Sequence, residues 1–191
     1  MPTVPVRRRL PPAERREEIL VTATELIAAS GYQGLSLEAF ADACGMTKAG
    51  LLHHFSSKEE LLIAVLQRRD ILDEATVDRD ALHAPDAATA RAMTLEILER
   101  NFGQPRFLQL YTRLSAEALD PANPAHEYFQ LRLERARGIL TDSLLLWHPN
   151  PAAAAVELLA FLDGLQLNWL RDRTIDVPTQ WNLFADRFFG I

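Results

Sequence analysis

Apolar side chains recur along this chain at three- and four-residue spacing almost from end to end. That period of about 3.6 residues is one that an α-helix turns into a single buried face. No stretch shows the alternation of a half-buried strand, so the expected fold is all-α, with about nine helices. The expected helices span about 12–30, 36–44, 48–55, 57–75, 87–101, 104–118, 124–147, 152–172 and 178–189. Pro85, Pro105, Pro121, Pro124, Pro151 and Pro178 punctuate the joins, where a missing backbone N–H costs least.

The 191 residues are 48% apolar and 24% charged, ordinary globular usage that sets aside a disordered or low-complexity chain. One cysteine, Cys44, allows no intrachain disulfide and is expected in the core of the second helix. No uninterrupted apolar run approaches the roughly 18 residues of a membrane span. The arginines near the N-terminus run into Pro11 and Pro12 rather than an apolar leader, so the expected location is cytoplasmic and no membrane partner is expected. Gly-x-Gly-x-x-Gly, Walker, Gly-x-Ser-x-Gly and His-Glu-x-x-His motifs are all missing, so no enzyme and no cofactor are expected. His53 and His54 are adjacent and diverge by about 100° on a helix, which argues against a metal site.

Charge divides unevenly. Residues 1–58 carry seven basic and six acidic side chains, net +1, whereas 59–191 carry a net −7. Arg7, Arg8 and Arg9 lie among prolines, and residues 1–11 read as a flexible basic arm or a solvated tail. In the first helix Ile19, Leu20, Ala23, Leu26 and Ile27 form one stripe that stops near Gly31. Ser36 can cap a short helix burying Leu37, Phe40, Ala41 and Cys44. Gly45 ends it, and Thr47 can cap another that holds Leu51 and Phe55 inward. A Ser57–Glu60 capping box then opens the fourth helix. Two short helices across a tight glycine turn, with a supporting helix before them, form the arrangement that seats the second helix in a DNA major groove. Lys48, Gly50, Leu52 and His53 would face outward.

Residues 12–61, above all GMTKAGLLHHFSSKEEL from Gly45 to Leu61, resemble the N-terminal domain of the tetracycline-repressor (TetR) family of transcriptional regulators. The resemblance implies that Ser36 and Thr47 cap helices against phosphates. It implies that Lys48, Ala49 and Gly50 meet base edges or the nearby backbone, that His53 and His54 touch phosphate or base, and that Lys58 binds phosphate. Leu52 replaces the tyrosine usual in the family, losing a phosphate hydrogen bond; it can touch a thymine methyl or pack. More of the specificity would then fall on the arm and on DNA shape.

The expected division is an arm at 1–11, a helix-turn-helix domain at 12–58 and a ligand-binding and dimerisation domain at 59–191. Helix 8 is apolar on two sides. One stripe holds Val156, Leu159, Ala160, Leu167 and Leu170 around Asp163, and the other holds Leu158, Phe161, Leu162, Leu165 and Trp169. Helix 9 carries Trp181, Phe184, Ala185 and Phe188 on one face. A twofold partner covering Val156, Ala160, Asp163, Leu167, Leu170, Trp181, Phe184 and Phe188 is the economical solution; two central helices in a monomer are the alternative. The family resemblance further implies a small-molecule effector, for which Phe102, Phe107, Tyr111, Tyr128, Trp147 and Trp169 are candidate contacts, favouring a hydrophobic ligand. The expected function is a repressor that binds a pseudo-palindromic operator in double-stranded DNA as a homodimer and is released by the effector. An all-helical protein–protein adaptor is the competing reading, and it leaves Lys48, Lys58 and the arginine arm unexplained.

Overall fold

The computed structural model describes residues 10–32, 34–74 and 86–190. Arg7, Arg8 and Arg9 therefore lie outside the described residues. Among those described, nine α-helices and no strand occur: α1 (Pro12–Ser30), α2 (Leu37–Ala43), α3 (Lys48–His54), α4 (Lys58–Glu74), α5 (Ala87–Phe102), α6 (Pro105–Glu117), α7 (His126–Ile139), α8 (Pro151–Arg171) and α9 (Val177–Phe189). The all-α expectation holds. The chain forms two compact units, Met1–Asp73 and Glu74–Ile191, so α4 up to Asp73 goes with the first unit.

The first unit is built from the apolar stripes of its helices. Ile19, Leu20, Ala23 and Ile27 of α1 are buried, as are Phe40 and Ala41 of α2, Leu51 of α3 and Phe55 just after it. Leu61, Leu62, Val65 and Leu66 of α4 are buried as well. Each large side chain removed from water contributes roughly 1.5–3 kcal/mol before the entropy of ordering it. Cys44 is buried, as a small apolar residue at the end of α2.

The second unit centres on α8 and α9. Leu158 and Leu165 of α8 and Val177, Trp181, Phe184, Ala185 and Phe189 of α9 close on Ala90 and Leu98 of α5. The indole N–H of Trp181 is buried and meets no acceptor among the described residues. Helix α8 is long and apolar enough to cross a membrane by length and composition, with a mean hydropathy of 1.2 over 18 residues. The sequence reading, which counted only uninterrupted apolar runs, did not foresee this. Asp163 near its middle would be costly in a bilayer, and α8 packs against α6, α7 and α9 as a bundle helix.

Two local departures have physical causes. The helix expected over 124–147 starts at His126, because Asp120 and Asn123 each accept a backbone N–H two residues on, from Ala122 and Ala125 at 2.9 Å. Such side-chain turns compete with helix. The same helix gives way to a π turn at Leu140–Leu144, closed by the N–H of Leu145 donating to the carbonyl of Leu140 at 2.9 Å. The extra residue lets the adjacent Leu144 and Leu145 both enter the core.

Candidate nucleic-acid interface

Helix α3 is held from both ends. Before it, α2 stops in a Schellman turn: the N–H of Gly45 donates to the carbonyl of Asp42 at 2.9 Å and that of Met46 to Ala41 at 2.8 Å. The turn requires a left-handed residue, and Gly45 supplies it at φ 59°. The Thr47 hydroxyl then accepts the N–H of Gly50 at 3.1 Å, just as Ser36 accepts that of Ala39 at 3.2 Å on α2. A Cβ at Gly50 would lie 3.3 Å from Thr47 Oγ1, so this position is shaped by the cap beside it. At the far end Phe55 is fully buried, with the Arg16 guanidinium 4.6 Å from its ring centroid.

The expected capping box is displaced by one residue. Ser57 Oγ accepts the N–H of Glu60 at 3.0 Å, but the Glu60 carboxylate reaches back to the backbone N–H and hydroxyl of Ser56, both at 2.6 Å. These bonds hold its pKa below the usual carboxylate value.

Outward from this frame stand Lys48, Ala49 and His53, all exposed, with Leu52 and His54 half-buried. Leu52 keeps part of its side chain available for apolar contact. Desolvation, with the charges of His53, Arg15 and Arg16, lowers the pKa of His54 below the ordinary histidine value. His54 is therefore neutral at neutral pH and can offer a hydrogen bond rather than a charge. The Lys58 ammonium lies 4.2 Å from the centre of the Tyr32 ring, a cation–π contact that fixes its position at the start of α4. Among the described residues, no cluster of three or more His, Cys, Asp or Glu side chains could hold a metal.

Sequence reasoning missed three groups. Arg16 and Tyr32 partner Phe55 and Lys58 as just described. Glu38 was counted only as a charge, yet its Oε1 accepts from Lys48 Nζ at 2.8 Å across the α2–α3 turn. That bond, with backbone and Ser36 hydrogen bonds, lowers the pKa of Glu38. A basic residue twelve positions after a helix cap and an acidic one two positions after it were the available signal.

In the second unit, ring contacts sort the six aromatic candidates into three places. Phe107 and Tyr111 meet at 5.3 Å, and the Tyr111 and Tyr128 hydroxyls share a 2.6 Å hydrogen bond. Phe102 packs edge-on to Trp169 at 4.9 Å. Trp147 lies 5.7 Å from Phe189 and donates its N–H to the Leu144 carbonyl at 3.1 Å. An open hollow of about 530 Å³, lined by Phe161, Gln180, Leu183, Phe184, Asp186 and Arg187, includes none of them.

The candidate dimer face needs correction on α9. Trp181 and Phe184 are 0% and 6% exposed: they fill their own unit's core, with Phe184 stacked on Phe161 at 3.8 Å. Phe188 is half-buried between Phe184 and His148. Their place outside is taken by Leu183, 58% exposed. On α8, Val156, Ala160, Asp163 and Leu167 are exposed and Leu170 is half-buried. Desolvation raises the Asp163 pKa, opposed by the nearby charge of Arg132; accessible on one side, this carboxyl is crowded on the other.

Residues 19–65 match the family of bacterial regulatory proteins described as tetR family. The transcriptional activator FasR of Mycolicibacterium smegmatis is 47% identical over 60 residues, 31% of this chain and 27% of that protein. The transcriptional repressor Rv1474c of Mycobacterium tuberculosis is 33% identical over 114 residues, 55% of this chain and 60% of that protein. Both matches span less than two thirds of the relative's length. In fold, a TetR-family transcriptional regulator from Streptomyces coelicolor superposes with a TM-score of 0.70 at 24% identity, covering 93% of this chain and 94% of that one. Residues 19–65 thus match the tetR family of bacterial regulatory proteins, and the chain shares the fold of that solved TetR-family regulator over almost its whole length.

Proposed function

We propose that this protein is a cytoplasmic, non-enzymatic transcriptional regulator that binds a pseudo-palindromic operator as a homodimer. One observation carries the reading: α3 is capped at Thr47, anchored by Leu51 and Phe55, and presents Lys48, Ala49 and His53 to solvent. A short helix fixed this firmly, with its polar face exposed, suits insertion into a major groove. Ser36, Gly50, Leu52, His54 and Lys58 flank it as contact residues. Arg7, Arg8 and Arg9 supply an electrostatic arm.

The exposed stripe of Val156, Ala160 and Leu167 on α8, continued by Leu183 on α9, supports a twofold interface. Two recognition helices roughly 34–36 Å apart then read successive turns of the groove. The effector is a small hydrophobic molecule taken up by the second unit, where the Phe107–Tyr111–Tyr128 group combines apolar rings with a hydroxyl pair. It acts by binding the DNA-incompetent state more tightly than the competent one. Repression is the proposed mode, as in the relative named a repressor; the relative named an activator makes the sign a matter for reporter assays.

Selection of bound sequences from a randomised duplex pool tests the reading. The expected product is two inverted half-sites about one helical turn apart. Recovery of no enriched sequence overturns the proposal. Leu167→Arg should yield a monomer by sedimentation and lose operator affinity by roughly a hundredfold or more, because the second half-site contact is no longer intramolecular. Tight binding by a proven monomer would refute the dimer.

A further inference from the structure

Glu38 places a negative charge, which opposes DNA, directly beside the recognition helix. It sits in the first turn of α2 with its side chain 58% exposed, beside Lys48 at 49%. A carboxylate among phosphates raises the energy of every docked state that gives it no donor. It has not been left to solvent: its Oε1 lies 2.8 Å from Lys48 Nζ. Two elements therefore present an acceptor and a donor side by side next to the recognition helix.

We infer that Glu38 and Lys48 act together as a base-reading pair that selects one G·C base pair in each half-site. The inference rests on the DNA-binding reading above. In the major groove, cytosine offers its N4 amino group as a donor and guanine offers O6 as an acceptor. Those two atoms are joined by a Watson–Crick N–H···O bond of about 2.9 Å. The spacing on the protein nearly equals that on the DNA. Glu38 Oε1 can accept from cytosine N4 while Lys48 Nζ donates to guanine O6, closing a ring of four hydrogen bonds without breaking the ion pair. Part of the cost of desolvating each charge is then already offset in the free protein.

An A·T pair also places a donor, adenine N6, beside an acceptor, thymine O4, but its flanks are wrong. Beyond O6, guanine presents N7, a second acceptor for the ammonium; beyond O4, thymine presents a methyl group. On the other side, the carboxylate beside adenine N6 meets the lone pair of N7, whereas beside cytosine N4 it meets only C5–H. Donor and acceptor thus both favour G·C. The carboxylate contributes further by penalising sites where it would face phosphate or a base acceptor, and specificity is set by that difference.

The test compares selection profiles from a randomised duplex pool for the full chain and for Glu38→Ala, Glu38→Gln, Lys48→Ala and Lys58→Ala, with helical circular dichroism to confirm folding. The wild type should show a fixed G·C pair at one position per half-site. Glu38→Ala should relax that position by about tenfold in relative affinity and bind unrelated duplex more tightly, having lost a repulsive charge. The isosteric Glu38→Gln should shift the same position toward A·T, since glutamine pairs with adenine N6 and N7. Lys48→Ala should relax the same position, whereas Lys58→Ala should weaken all sequences alike and lower the salt dependence by about one counterion. A wild-type profile with inverted half-sites that Glu38→Ala leaves unchanged overturns the pair alone. A wild type that enriches no sequence overturns the regulator reading, and the pair with it.

Discussion

The two units of this chain spend their apolar surface differently. In the first, every exposed residue of α3 sits on a scaffold whose caps and turn are made by neighbours a few residues away: Ser36 to Ala39, Thr47 to Gly50, Gly45 to Asp42. In the second, the groups that matter meet across long separations, such as Gln166 donating to Thr112 at 2.6 Å and Phe161 stacked on Phe184. A binding surface made of local geometry is written into a short sequence. One made by packing between distant helices is not.

Trp181→Ala should break the second unit hardest. Removing a fully buried indole costs about 3–5 kcal/mol, read as a lower midpoint in chemical denaturation. If the loss is under about 1 kcal/mol, Trp181 is not central to that core. If the helix-turn-helix melts at the same reduced midpoint, the two units unfold as one, and the contrast drawn above is only one of construction.

Gly45→Ala probes the first unit. The residue holds φ 59°, which costs an alanine about 1–2 kcal/mol, and thermal stability should fall accordingly. Gly45→Asn should recover much of that loss, because asparagine tolerates the left-handed region. Equal loss in both variants would show that space, rather than backbone angle, is limiting there.

The smallest expected effect is at Asp163. Its pKa is raised in the fold by desolvation, so the native state holds the proton more tightly than the unfolded chain does. Its favourable contribution is complete in acid, below the ordinary carboxylate value, and is lost as pH rises through the folded value. Asp163→Asn should therefore be slightly more stable than wild type near neutral pH, and the gain should fade on acidification. A gain that persists unchanged in acid would assign it to something other than charge.

These contrasts explain what could be read in advance. The helix-turn-helix was legible because capping hydroxyls, a left-handed glycine and an apolar stripe act over three or four residues. The helix count and the double-sided character of α8 were legible for the same reason. Which side of α9 faces inward was not: Trp181 and Phe184 share a stripe that suits a partner or a core equally well, and only the position of α5 and α8 decides it. The pairing of Glu38 with Lys48 was hidden because the Schellman turn folds ten residues of separation into one hydrogen bond.

The π turn at Leu140–Leu144 carries one residue more than a regular helix would need for the same rise. Deleting a single residue there would let the segment close as ordinary α-helix, taking up the bulge within that turn and leaving the residues after it in register with the core. In a comparison of kindred chains, a one-residue gap at this point would mark a change in helix type rather than a shortened loop. This is a place where the length of the molecule can change by one without changing where its helices run.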